Sequence, residues 1–275
     1  MLVVGGHPRS GTTLLARLLN LHPAIGVTFE FRPFLGLDRD SPAHWHVLRK
    51  DFARRRIVEI KWLPLWRMSQ GRRGPRRAIL GALDRLESAR FLLTYGAMIK
   101  EAPRVTTEVI RSAYLAHFGI KHLLGDKVPE YVFSLDSLVS EPGLVRVLIY
   151  RDPRDVAASA IKMFERGWGG GTLGHRLSTP EGVAATWAEA ARLMLKHANQ
   201  CHLVRYEGLV SNPLGELGSL GRSLGVDPAA FQIGMVQGDR VGRGRRELST
   251  QDIEAIERVA APEMRALGYE LSEAA

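Results

Sequence analysis

The run Leu2-Val3-Val4-Gly5-Gly6-His7-Pro8-Arg9-Ser10-Gly11-Thr12-Thr13-Leu14-Leu15 decides how the rest of the chain is read. Residues 2–4 are short, apolar and partly β-branched, as a buried strand is. A Gly-rich turn follows. Residues 12–20 then carry Leu14, Leu15, Leu18 and Leu19 at helical spacing, and His22-Pro23 ends that helix. Strand, glycine turn and helix in this order make a cradle for an anion. The first N–H groups of a helix lack partners within it, and its dipole favours negative charge there.

Gly6 and Gly11 keep the spacing of the nucleotide-binding pattern G-x-x-x-x-G-K-[ST], with Thr13 at its hydroxyl position. Thr12 stands where that pattern has lysine, so the point charge an NTPase places on the β/γ-phosphates is missing. Arg9 supplies a cation inside the loop instead. The loop therefore suits one terminal phosphate-like group, with Arg9 beside the group being transferred. The plainer reading is a glycine turn that merely starts a helix.

Outward from this motif the chain keeps alternating. Residues 25–29 read as a strand and 80–100 as a helix. Residues 122–124 read as a short strand ahead of Gly125-Asp126-Lys127. Residues 144–150 are the strongest strand signal, bounded by Pro-Gly before and Asp-Pro after. Residues 155–166 and 181–199 read as helices on either side of a Gly-rich loop at 167–174. A strand at 201–206 precedes a helix at 213–224 and further helices in the last quarter. This alternation predicts an α/β fold: a P-loop-type parallel sheet flanked by helices, in a single domain over residues 1–275. A mainly helical basic insertion is expected at 44–77, where eleven Lys or Arg face only Asp51 and Glu59, with Trp45, Trp62 and Trp66 interleaved.

Composition narrows the classes. The 275 residues are 45% hydrophobic and 24% charged, as in a globular chain, so general disorder is excluded. No apolar run of about 18 residues is present, and the opening residues lack the basic start of a signal peptide. Cys201 is the one cysteine, which excludes an internal disulfide and a multi-cysteine zinc site. A cytoplasmic location is expected. The net charge of +9 attracts anions without choosing among nucleotides, nucleic acid and acidic lipid.

A second constellation chooses. Arg151 follows the strand at 144–150, at the strand end where ligands bind in open α/β sheets. Ser159, about two turns into the next helix, adds a hydroxyl. The pair suits a second phosphate. Asp152 as a magnesium carboxylate is the alternative, and it fits poorly beside Arg151 with no loop lysine.

A nucleotide with two anionic ends explains both motifs. Here the sequence resembles the sulfotransferases that use 3′-phosphoadenosine 5′-phosphosulfate (PAPS). Their 5′-phosphosulfate loop is similar to Pro8-Arg9-Ser10-Gly11-Thr12-Thr13, and their 3′-phosphate motif to Arg151 followed by Ser159. The resemblance is nearest to the tyrosylprotein sulfotransferase branch and its bacterial relatives. It rests on residues 5–14, His22-Pro23, Glu30 with Arg32, Asp126-Lys127 with Pro129, and Tyr206-Glu207 with Leu209-Val210 and Pro213. Residues 40–120 carry little similarity, and the resemblance implies that this variable helical region selects the acceptor or forms a lid. Eukaryotic members of the branch are anchored and disulfide-bonded, so a protein-tyrosine acceptor is not implied.

The resemblance implies sulfuryl transfer from PAPS, leaving PAP, to an acceptor hydroxyl, with no metal. Arg9 would stabilise the sulfuryl and bridging oxygens. N–H groups of Ser10, Gly11, Thr12 and Thr13 would hold the 5′-phosphate, helped by the threonine hydroxyls. Lys127 is a second candidate for leaving-group stabilisation, against the plainer reading of a surface lysine in a turn. Glu30 is the candidate general base; its neighbours Phe29, Phe31 and Phe34 are apolar, a setting that raises a carboxylate's pKa. His44, His46, His117, His122 and His175 offer an imidazole base without a spacing argument. Tyr206 is placed on the adenine or near the 3′-phosphate. Arg243 and Arg245 are chosen from Arg240, Arg243, Arg245 and Arg246 for the late loop over adenosine. The acceptor is a small molecule, glycan, lipid or peptide, and neither it nor the oligomeric state is readable.

The rival readings are a P-loop kinase or NTPase, a nucleic-acid-binding protein and a peripheral membrane protein. The last two rest on residues 44–77, which have cations and stacking groups but no base-reading module. Nucleic acid is the less expected partner.

Overall fold

The computed structural model describes residues 1–35, 37, 40–55, 74–119, 122–167, 172–234, 236 and 240–272. In chain order the elements are β1 (Leu2–Gly5), α1 (Thr12–Leu21), β2 (Ile25–Phe29), α2 (Ser41–Arg55), α3 (Pro75–Glu101), α4 (Thr107–Phe118), β3 (Leu123–Lys127), α5 (Leu135–Leu138), β4 (Val145–Tyr150), α6 (Pro153–Glu165), α7 (Thr172–Arg176), α8 (Pro180–Lys196), β5 (His202–Arg205), α9 (Tyr206–Ser211), α10 (Pro213–Leu224), α11 (Gly244–Glu247) and α12 (Thr250–Ala266). The strands form a five-stranded sheet in the order β2-β3-β1-β4-β5. The pairings β1–β3, β2–β3 and β4–β5 are parallel. This is the helix-flanked α/β fold that the alternation predicts. Among the described residues no helix is long and apolar enough to cross a membrane.

The chain divides into two compact units. The first comprises Met1–Val4, Ala16–Val128 and Ser137–Val145. Its strands β1, β2 and β3 run in register, with Val4 and Phe29 both opposite Lys127. Gly125 must be glycine, because a Cβ there would overlap the Leu2 carbonyl. The Asn20 amide gives Val27 a hydrogen-bonding partner on both backbone groups, at 2.8 and 2.7 Å, which covers an edge strand that otherwise invites foreign pairing. Buried rings fill the interior: Phe31 lies 4.9 Å from Phe91 and 4.7 Å from Tyr95, centroid to centroid. Trp45 of α2 occupies the space a Gly96 side chain would need on α3.

The second unit comprises Gly5–Leu15, Pro129–Asp136 and Arg146–Ala275. Its core is an apolar cluster including Val156, Ala160, Trp187, Ile256 and Met264, from α6, α8 and α12. Each of these helices has an N-cap side chain that accepts from a first-turn N–H: Asp152, Thr179 and Ser249. Asp152 explains why α6 begins at Pro153, two residues earlier than its sequence periodicity indicates: proline is tolerated at a helix's first position.

Two local expectations change. Residues 125–127 are not a turn after a short strand; they complete β3, and Lys127 is 3% exposed. A Gly-Asp pair reads locally as a turn, whereas here the glycine permits close strand approach. Tyr206 does not end β5 but begins α9. Of the expected basic insertion, residues 56–73 with Trp62 and Trp66 lie outside the described residues, as do 168–171 of the Gly-rich loop.

Candidate functional site

In the second unit, the backbone leaves β1 and runs through residues 6–11 before α1 begins at Thr12. Three φ values in this loop are positive: Gly6 at 146°, Arg9 at 72° and Gly11 at 100°. Gly6 passes so close to Ile149 that a Cβ would overlap its carbonyl oxygen, and a Cβ on Gly11 would come within 2.5 Å of the Tyr206 ring. A left-handed arginine between such glycines is backbone strain of the kind found at ligand sites.

His7 fastens the loop from beneath. Its Nδ1 donates to the Pro8 carbonyl at 2.8 Å, and its Nε2 lies 3.0 Å from the Thr186 hydroxyl. Burial, the largest cause, pushes its pKa down to about 4. The ring is therefore neutral near pH 7, with its proton on Nδ1 toward Pro8 and its Nε2 against the Thr186 hydroxyl. The Ser10 N–H donates to the His7 carbonyl at 3.0 Å. The Ser10 N–H that the sequence reading gives to a phosphate is thus turned to the His7 carbonyl here. The Ser10 hydroxyl is buried without a hydrogen-bond partner. Thr12 is buried and Thr13 half-buried, both in the first turn of α1.

Arg9 joins the loop to the second motif. Its Nε donates to Ser159 Oγ at 3.1 Å, across 150 residues of sequence. Its pKa is lowered by burial first, and then by the charges of Arg240 and Arg151. A cluster of guanidinium groups that disfavour one another's charge gains by taking up an anion.

Arg151 is 4% exposed and held on several sides. Its Nη2 donates to Asp155 Oδ2 at 2.9 Å and to the Arg240 carbonyl. Its guanidinium lies 4.4 Å from the centroid of the Tyr206 ring, a cation–π contact. Trp187 Nε1 fixes its backbone carbonyl at 2.9 Å. Its Nε is buried without a hydrogen-bond partner. Tyr206, itself 4% exposed, therefore packs between Gly11 and Arg151 and has little surface left for stacking on adenine.

Sequence reasoning considered Arg240 but chose Arg243 and Arg245, and it gave Asp155 no role. Among the four late arginines, Arg240 is the one whose carbonyl meets Arg151 and whose charge bears on Arg9. Arg243 pairs with Glu247 at 2.6 Å, and Arg245 is exposed on α11. Nothing in the local spacing separates the four. Arg154, so near Arg151 in sequence, is taken up by Asp152 and Glu257.

The first unit carries the other candidates. Lys127 Nζ donates to Glu30 Oε1 at 2.8 Å. Its ammonium also lies 5.3 Å from the Phe29 ring centroid. Glu30 and Arg32 adopt left-handed φ values of 59° and 66°. Asp126 holds this turn from behind: it accepts from the N–H groups of Phe31 at 3.1 Å and Arg32 at 2.9 Å, and from the Thr28 hydroxyl at 2.6 Å. Glu30 N–H donates to the Lys127 carbonyl at 2.8 Å. Among the described residues the carboxylate is not enclosed by apolar groups as expected. Phe29, Phe31 and Phe34 are buried, but the Glu30 side chain is 44% exposed and ion-paired. Among the described non-glycine residues, Arg9, Glu30 and Arg32 are those with positive φ, so strain coincides with residues singled out by sequence.

Comparison with known proteins gives the family and the fold. Residues 2–230 match the model of the sulfotransferase family. The chain is 28% identical to nodulation protein NoeE of Sinorhizobium fredii (strain NBRC 101917 / NGR234), over 97% of its own length and 65% of that protein's. It spans about two thirds, strictly 65%, of that curated relative. Two of the solved structures that share its fold illustrate the likeness. The sulfotransferase domain of the Synechococcus PCC 7002 olefin synthase superposes with a TM-score of 0.64 at 15% identity, covering 99% of this chain and 95% of that one. A sulfotransferase from Alicyclobacillus acidocaldarius gives 0.51 at 15% identity, covering 98% and 96%.

Proposed function

This chain belongs to the sulfotransferase family, and from that premise we propose that it moves a sulfuryl group from PAPS to an acceptor hydroxyl. The observation that carries the reading is the hydrogen bond from Arg9 to Ser159. It ties the glycine loop to the Arg151 motif, so two anion sites form one cradle for a nucleotide with phosphates at both ends. The cradle's own chemistry fits such a donor. Ser10 Oγ and Arg151 Nε are buried donors without partners, and three arginine charges converge there.

PAPS, when bound, supplies an activated sulfuryl group on a stable leaving group. Arg9, Gly11, Thr12, Thr13 and the Ser10 hydroxyl hold its 5′ end. Arg151 and Ser159 would hold its 3′-phosphate, with Tyr206 supporting Arg151 and the segment that starts at Arg240 serving as the late adenosine loop that the resemblance implies. Arg243 and Arg245 extend that segment's positive charge. Arg9 offsets the charge that develops on the bridging and sulfuryl oxygens, the kind of preorganised stabilisation that dominates such transfers. Glu30 accepts the acceptor's proton as the new S–O bond forms and the old one breaks to release PAP. Lys127 orients the Glu30 carboxylate through their ion pair, and the resemblance gives it leaving-group stabilisation. The motifs at 5–14, Glu30 and 126–129 place the chain, in our reading, with the bacterial relatives of the tyrosylprotein branch. The acceptor is a small molecule, glycan, lipid or peptide hydroxyl. The single Cys201 suits a reducing, cytoplasmic setting.

Calorimetric titration with PAP, adenosine 5′-phosphate and ATP, with and without Mg²⁺, tests the reading. Metal-independent PAP binding that weakens without the 3′-phosphate is the expected result. A preference for Mg·ATP moves the chain to kinase-like chemistry and removes the roles given to Arg9, Glu30 and Lys127.

A further inference from the structure

Asp155 is buried, 2% exposed, and it is not a nucleotide contact in the reading above. Its two carboxylate oxygens are nonetheless fully engaged. Oδ2 accepts from Arg151 Nη2 at 2.9 Å and from the Gly242 N–H at 3.0 Å; Oδ1 accepts from the Gly244 N–H at 2.6 Å. One carboxylate therefore joins the guanidinium at the end of β4 to a segment almost ninety residues later. The Arg240 carbonyl closes the same link from the other side by accepting from Arg151.

The segment is shaped for this seat. Gly242 has φ 71°, and Gly244 packs so tightly that a Cβ would overlap the backbone carbonyl carbon of Arg154. Arg240, at the segment's start, is one of the two charges that bear on Arg9. Charge-assisted bonds from buried N–H groups to a carboxylate are among the stronger polar contacts a protein makes. Together these contacts give Arg151 and residues 240–244 a single shared anchor.

We propose that Asp155 is a positioning residue that couples recognition of the donor's 3′-phosphate to the seating of residues 240–244. Arg151 reaches its working orientation only while the segment is docked, and the docked segment brings the Arg240 charge toward Arg9. By linkage, a ligand that engages Arg151 also secures the segment. This rests on the PAPS reading for the identity of the ligand; the latch itself rests only on the Asp155 contacts.

The test uses Asp155→Asn, Asp155→Glu and Gly244→Ala with two readouts. The first is the ratio of affinities for PAP and adenosine 5′-phosphate by calorimetry. The second is hydrogen exchange, by mass spectrometry, of peptides covering residues 240–247. Asp155→Asn should cut the PAP preference on the order of tenfold, since a charged hydrogen bond is lost, while leaving adenosine 5′-phosphate within a few-fold. Exchange over 240–247 should rise, and PAP should no longer slow it. Gly244→Ala should do the same by displacing the segment with Asp155 intact, so a folding defect in one variant leaves the other decisive. Asp155→Glu should restore part of the preference. Equal loss for both ligands, or exchange unchanged in Asp155→Asn and Gly244→Ala, overturns the coupling. If exchange rises but the unmutated chain shows no PAP preference, the latch stands and the PAPS reading falls.

Discussion

Lys127 Nζ sits 2.8 Å from Glu30 Oε1, and Glu30 meets it from a backbone held at φ 59°. A glutamate does not adopt that conformation without compensation, which costs of order 1–3 kcal/mol. Asp126 supplies it by binding the N–H groups of Phe31 and Arg32. Strain, ion pair and buried carboxylate together aim one exposed carboxylate at a fixed place.

Glu30→Gln keeps the shape of the side chain and removes its basicity. Turnover should fall by about 10²–10⁴, while PAP affinity stays within a few-fold. Initial rates with PAPS and a surrogate phenol, beside calorimetry with PAP, measure both. Undiminished turnover would remove Glu30 as the base.

Arg9→Ala removes the guanidinium that Ser159 orients. kcat/KM should drop by about 10²–10³, the usual effect of losing one preorganised donor at a developing charge. Ser159→Ala should have a smaller effect and weaken PAP more than adenosine 5′-phosphate. If Ser159→Ala weakens both nucleotides equally, the serine does not report on the 3′-phosphate.

Gly11→Ala places a Cβ within 2.5 Å of the Tyr206 ring at a φ of 100°. The backbone conformation and the contact both oppose it, and stability should fall by about 1–3 kcal/mol. Because Tyr206 supports Arg151, PAP binding should weaken as well. Denaturant melts and calorimetry on the same sample check this; a melt and an affinity like those of the unmutated chain refute the packing.

The His7 pKa is pushed from 6.5 down to about 4 in the fold, chiefly by burial. Below about pH 6.5 the unfolded chain takes up a proton that the folded chain refuses. Stability is thus fully present above 6.5 and declines as pH falls toward about 4, by a total on the order of 3 kcal/mol. Thermal melts between pH 7.5 and 4.5 should show the decline, and His7→Gln should flatten it. An equally steep decline in His7→Gln assigns the acid sensitivity elsewhere.

Much of this was legible along the chain. Residues 25–29 read as a strand and form β2 with those bounds. The glycine loop, Arg151 and Ser159 were singled out by spacing, because strands, turns and helix starts are local events with local signatures, and the Arg9–Ser159 hydrogen bond brings the two motifs together. Glu30 and Arg9 were singled out without knowledge of their positive φ. The failures were of another kind. For Lys127 the plainer reading, a surface lysine in a turn, fails because the neighbouring strands make it the buried last residue of β3.

The sequence by itself determined the order of strands and helices along the chain, the glycine turn between β1 and α1 and the residue types available for the chemistry. The tertiary structure decided who meets whom. It brought the Arg240 carbonyl to Arg151, set Asp155 between Arg151 and Gly244, put Tyr206 under Arg151, and paired Lys127 with Glu30. The physical reason is separation along the chain. These partners lie 55 to 97 residues apart, apart from Arg151 and Asp155. Nothing within a helix turn or a strand repeat distinguishes them, and hydrogen-bond geometry exists only after the sheet has brought the strand ends together.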